Sequence, residues 1–127
     1  MRRFSSWVPV AGWCLVIFVF SSIPYIDSGL VYDYPLRKSA HMAEFGTLFL
    51  LARRALNRTY GSAMSWTWAA AAFSIFYAMS DEWHQTFVPG RTGRMTDVAI
   101  DSGGVALAAL GVWTRGALTK ASREGHP

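Results

Sequence analysis

The sequence predicts an all-α protein, a four-helix transmembrane bundle with both termini in the cytoplasm. Three observations carry that expectation. Hydrophobic residues make up 52% of the 127 residues and charged residues only 16%, where a soluble domain carries about 25% charged residues. Two long runs contain no charge at all. The charges that remain separate by sign along the chain. The length predicts one domain over residues 1–127, with helices near 7–23, 39–52, 63–79 and 97–114.

The first element is Trp7 to Ile23, 17 uncharged residues, long enough to cross a hydrocarbon core of about 30 Å with slight thinning. Arg2 and Arg3 precede it, so a cleaved signal peptide is the competing reading of residues 1–28. The apolar run is long for that role, and no A-x-A site follows. A loop from Pro24 to Lys38, with Gly29 and Pro35, leads to the second element. Ser39 to Ala52 is apolar apart from His41 and Glu44. The connection Arg53 to Ser62 is short and basic. The third element lies within Thr59 to Ser80, 22 uncharged residues, with its apolar heart at Ala63 to Met79. Ser80 to Thr96 is a loop with turn signals at Pro89, Gly90 and Gly93. The fourth element, Asp97 to Thr114, is apolar apart from Asp97 and Asp101. The tail after Thr114 reads as a solvated extension.

Orientation follows from Lys and Arg in short loops. With the N-terminus inside, 8 of the 12 basic residues fall on the inner side: Arg2, Arg3, Arg53, Arg54, Arg58, Arg115, Lys120 and Arg123. Arg37, Lys38, Arg91 and Arg94 fall outside. Of the acids, Asp27, Asp33, Glu44, Asp81, Glu82, Asp97 and Asp101 lie at or near the outer side, and Glu124 inside. Trp7, Trp66, Trp68 and Trp113 sit at inner boundaries and Tyr25, Tyr77 and Trp83 at outer ones, an aromatic-belt pattern. The net charge of +4 is therefore a topology signal. No basic face or motif supports a nucleic-acid partner; the lipid bilayer is the expected one. The single cysteine, Cys14, excludes an intramolecular disulfide and a cysteine-rich zinc site.

An ionisable group inside a membrane segment costs roughly 3 kcal/mol, which makes it a functional candidate. At about 100° per residue, Lys38, His41, Glu44 and Leu48 share an arc of about 120°. His41 and Glu44 are spaced i, i+3 and can interact; a polar pair that merely pins the helix is the alternative. Further along stands Ser80-Asp81-Glu82-Trp83-His84-Gln85. Glu82 and Gln85 share a face there. Asp81 flanks it, with a solvated helix end as its alternative role. His84 points elsewhere and reads as a surface histidine beside Trp83. Asp97 and Asp101 are spaced i, i+4 on a stripe continued by Gly104 and Ala108, a face that meets another helix closely. Asp97 alternatively caps the helix, and Asp101 is expected to pair with Arg, Lys or His. Arg91 and Arg94 can fork a phosphate or carboxylate, or neutralise Asp97, Asp101 or Glu82.

In order, Lys38-Ser-Ala-His41-Met-Ala-Glu44-Phe45-Gly46, Ser80-Asp81-Glu82-Trp-His-Gln85, Pro89-Gly90-Arg91-Thr-Gly93-Arg94-Met-Thr-Asp97 and Asp101-Ser-Gly-Gly104 resemble the VanZ-like family of small bacterial membrane proteins. The resemblance runs from about Lys38 to Gly111. Position 101 is Asp here, where Asn is common in the family. The resemblance implies a four-helix membrane protein. The family takes its name from a protein linked to teicoplanin resistance. Some members carry an older label, phosphotransbutyrylase, but no segment here recognisably binds coenzyme A.

Three functions follow as expectations. The first is a multi-pass protein of the bacterial inner membrane whose outer polar pocket binds a cell-wall precursor, a lipid-linked phosphate or a glycopeptide, contributing to teicoplanin-type resistance. Lys38, Asp81, Gln85, Arg91, Arg94, Asp97 and Asp101 would line it. The second is an intramembrane hydrolase or transferase acting on a lipid-linked phosphate, with His41 paired with Glu44 as general base, Glu82 as acid or second base, and Arg91 stabilising phosphate charge. No cofactor is expected. A divalent metal is conceivable, since Glu44, Glu82, Asp97 and Asp101 offer hard oxygen ligands, but no compact metal signature such as H-E-x-x-H appears and no metal ligand is assigned. The third, an ion pathway, needs polar groups across the whole membrane, and here they stop at the outer half.

Overall fold

The computed structural model describes residues 2–24 and 33–124. These form a short helix α1 (Arg2–Ser5) and four longer ones, α2 (Val8–Ser21), α3 (Asp33–Tyr60), α4 (Met64–Gln85) and α5 (Met95–Glu124). No strand occurs among the described residues. Tyr25, Asp27 and Gly29, placed above in the first loop, lie outside the described residues.

Three helices outrun the apolar segments that announce them, while α2, with 14 residues, falls short of its 17-residue run. Segment 39–52 is the middle of a 28-residue helix, segment 63–79 belongs to a 22-residue helix that continues through Gln85, and segment 97–114 opens a 30-residue helix. Arg53, Arg54 and Arg58 are therefore helical, not part of a loop. Arg, Leu and Ala are good helix formers, and nothing interrupts them before Gly61. Pro35 falls in the first turn of α3, where its missing N–H has no partner to lose. The tail after Thr114 is likewise helical as far as Glu124, with Lys120 and Glu124 paired at 3.9 Å across one turn.

Helix α3 is the centre of the bundle. It packs most extensively on α5, then on α4, and α2 lies more lightly against α3 and α4. Its buried residues Phe45, Leu48, Phe49, Ala52 and Ala55 recur at helical spacing and face Ile17 of α2 and Val105 of α5 in one cluster. On α4 the buried stripe is Ala70, Ser74 and Ala78, small residues that let backbones approach. The closest approach joins α3 to α5. A Cβ added at Gly104 would run into the Met42 carbonyl. Only glycine lets these two helices meet at that point.

Much of the apolar surface stays outside. Leu15 and Phe20 of α2, Phe76 of α4 and Leu107, Leu110 and Trp113 of α5 are all more than half exposed. Among the described residues, α5 is the one helix long and apolar enough to cross a membrane; α2 is apolar but has only 14 residues. Only 28% of the apolar stretch of α5 is buried, unlike the core helix of a soluble protein.

Candidate functional site

The stripes that bury apolar side chains in mid-bundle bury polar ones at one end. Following Ala70, Ser74 and Ala78 along α4 leads to Asp81, Glu82 and Gln85, all buried. On α3 the same side carries Lys38 and His41 ahead of Phe45. On α5 Asp97 and Asp101 precede Gly104 and Val105, and all four are buried. These groups meet where α3 and α5 begin and α4 ends.

The pairings are specific. Lys38 Nζ lies 2.6 Å from Asp97 Oδ1. The Asp97 carboxylate is thus engaged by a neighbouring helix, and its place in the first turn of α5 also complements the helix dipole. The direct carboxylate partner of His41 is Asp101, with Nδ1 to Oδ1 at 3.6 Å. Glu44, the i, i+3 neighbour, lines a smaller adjoining cavity of about 110 Å³ with Phe20, Ser21, Arg37, His41 and Arg91. Asp81 is no solvated helix end. It is 4% exposed, and its Oδ2 accepts hydrogen bonds from Ser21 Oγ at 2.8 Å and Gln85 Nε2 at 2.9 Å. Glu82 turns the other way, and its Oε2 accepts the backbone N–H of Arg94 at 2.9 Å. His84 stands apart from this set, 3.0 Å from Ser22 Oγ and against the Phe18 ring.

The loop between α4 and α5 closes over the site. Arg91 N–H donates to Val88 O at 3.1 Å, and Gly90 between them has φ of 78°. Pro89 and Gly90 are therefore the central pair of a type II turn. That turn aims Arg91 at the end of α2, where Nη2 donates to Phe20 O at 3.0 Å and Nε to Ile23 O at 3.3 Å. Neither arginine of the loop is used up in an ion pair with Asp97, Asp101 or Glu82 among the described contacts. Burial, then the like charge of Arg37, push the Arg91 guanidinium below its ordinary pKa.

A cavity of about 280 Å³ opens beneath this loop, lined by Arg37, Lys38, His41, Gln85, Arg91 and Arg94 among others. Among the described residues, four permanent cations border it against the single carboxylate of Asp97. Crowded guanidinium groups at a concave surface attract phosphate or carboxylate. Below it, His41, Asp81 and Glu82 each offer a ligand atom, all within 4.8 Å of one another.

Lys38, His41, Gln85, Arg91, Arg94 and Asp97 thus border one cavity, with Asp81, Glu82 and Asp101 beside it and Glu44 in the adjoining one. Sequence reasoning missed Ser21, which shares the Asp81 carboxylate, and Arg37 and Tyr34, which line the cavity. Ser21 carries no periodic signal, since it closes an uncharged run. In the sequence Arg37 is visible only as a charge beside Lys38, a topology signal.

A family model described as VanZ/LLP1 matches residues 3–116. The chain belongs to the VanZ/LLP1 family. The match spans all four long helices up to Gly116 and contains every residue of the site. No curated protein and no solved structure matches this VanZ/LLP1 chain.

Proposed function

We propose that this VanZ/LLP1 protein is a multi-pass protein of the bacterial cytoplasmic membrane, its termini inside. In this reading the cationic cavity faces outward and binds an anionic envelope ligand. The ligand is the phosphate of a lipid-linked cell-wall precursor or the carboxylate of a glycopeptide, and the consequence is teicoplanin-type tolerance. The observation that carries the reading is Arg37, Lys38, Arg91 and Arg94 around one cavity with a single lining carboxylate among the described residues. Membrane placement is supported by the apolar, mostly unburied α5 and by exposed aromatic and aliphatic side chains on α2 and α4.

The test is complementation in a teicoplanin-sensitive bacterium, with alanine at Arg37, Arg91 and Arg94 and membrane expression measured beside growth. Tolerance conferred by the wild type and lost in the variants at normal expression supports the reading. Tolerance unchanged by all three replacements contradicts it.

The His41–Asp101 contact favours a second reading, an intramembrane hydrolase or transferase acting on a lipid-linked phosphate. A carboxylate beside one ring nitrogen orients the imidazole as a general base, and Glu82 is at hand as an acid. Release of phosphate from a labelled polyprenyl diphosphate by purified protein, lost in His41→Ala, would favour this over binding alone.

A further inference from the structure

Beneath the cationic cavity lie buried polar atoms that have no hydrogen-bond partner among the described residues. His41 Nδ1, Glu82 Oε1 and both oxygens of Asp101 are buried without a hydrogen-bond partner. Glu82 is 4% exposed and Asp101 1%. Asp81 stands with them, equally buried. Isolated buried carboxylates are costly unless paired with charge or metal. Two cations of the cavity above are engaged elsewhere: Lys38 on Asp97 at 2.6 Å, Arg91 on the carbonyls of Phe20 and Ile23. The orphaned carboxylate oxygens carry lone pairs.

We propose that His41, Asp81 and Glu82 form a binding site for a divalent transition-metal ion, Zn²⁺ or Mn²⁺. Their ligand atoms lie within 4.8 Å of one another. Nitrogen and oxygen ligands of zinc sit about 2.0–2.2 Å from the ion, which draws them within about 4.4 Å of each other. One imidazole with two carboxylates selects these ions over Mg²⁺ and Ca²⁺, which prefer oxygen alone. Asp101 stands 3.6 Å from His41 Nδ1, on the side where an outer carboxylate orients a ligating histidine, so the ring would offer Nε2 to the ion. Ser21 and Gln85 likewise orient Asp81 through its Oδ2. The ligands come from α3 and α4, so the ion would tie the two helices together. The site stands on these contacts alone and does not rest on the anionic-ligand reading.

The experiment uses tag-free, chelator-stripped full-length protein in detergent, dialysed against Zn²⁺, Mn²⁺ or Mg²⁺ and assayed for bound metal. One Zn²⁺ or Mn²⁺ per chain is expected, at least tenfold weaker in His41→Ala and Glu82→Gln and unchanged in His84→Ala, with helical content checked by circular dichroism. Should the site variants not fold, the Mn²⁺-loaded wild type decides, because pulsed electron spin resonance reads nitrogen coupling from a bound imidazole. No stoichiometric metal, equal binding in folded His41→Ala and Glu82→Gln, a preference for Mg²⁺, or a Mn²⁺ spectrum without nitrogen coupling would each overturn the proposal.

Discussion

His41 Nδ1 and Asp101 Oδ1 stand 3.6 Å apart at the contact of α3 with α5. The separation is too long for a hydrogen bond, and both Asp101 oxygens are buried with no donor among the described residues. A carboxylate held this way works against the fold, so its presence points to function. Asp101→Asn is expected to leave the metal-free protein as stable as the wild type, or more stable by about 1 kcal/mol. Thermal unfolding in detergent after chelation checks this. A clear fall in Tm would show that the charge itself stabilises the bundle.

The α3–α5 contact depends on one glycine. A side chain at Gly104 would collide with the Met42 carbonyl, which is backbone and cannot swing aside. Gly104→Leu is expected to cost at least about 3 kcal/mol, at the upper end of overpacking. At Gly111 of the same helix a Cβ meets nothing within 4 Å, so Gly111→Ala is expected to be neutral or slightly stabilising. Unfolding curves of the two variants should separate widely.

Ser21 is the one buried polar side chain that α2 brings to the site. Its hydroxyl donates to Asp81 at 2.8 Å. Ser21→Ala is expected to destabilise the protein by about 1–2 kcal/mol, above a neutral bond because the acceptor is charged. In a cycle with Asp81→Asn the two changes should couple by about 0.5–3 kcal/mol. Strict additivity would mean the bond contributes nothing.

Membrane topology is checked by cysteine labelling in a Cys14→Ser background. Thr92 lies in the loop over the cavity and Ser62 between α3 and α4. Thr92→Cys is expected to react with an impermeant maleimide in intact spheroplasts, and Ser62→Cys only after permeabilisation. The reverse pattern would turn the bundle over.

The sequence made the broad design legible. Two uncharged runs located α2 and α4, and the residues that now border the cavities were mostly visible as charges in apolar surroundings. Helix ends were not legible, because an apolar run marks where a helix is dry and not where it stops. Arg53 to Tyr60 stays helical although Ala55 and Leu56 stand among polar residues there and announce no apolar run. Partner choice was legible only in part: the sequence sends Asp101 to an Arg, Lys or His, while spacing within α3 links His41 to Glu44. Packing of α3 on α5 presents His41 to Asp101. Lys38 finds Asp97 for the same reason. Ser21 became visible only once α2 was laid beside α4.

The most direct test of the central claim is titration of purified protein in nanodiscs with a polyprenyl phosphate, against the neutral polyprenol of the same length. The account predicts saturable binding of the phosphate alone, weakened by roughly 10- to 100-fold in Arg94→Ala, as losing one charge-assisted hydrogen bond implies, and weakened further by salt. Equal affinity for the alcohol and the phosphate, or an Arg94→Ala variant that binds as the wild type does, would contradict it.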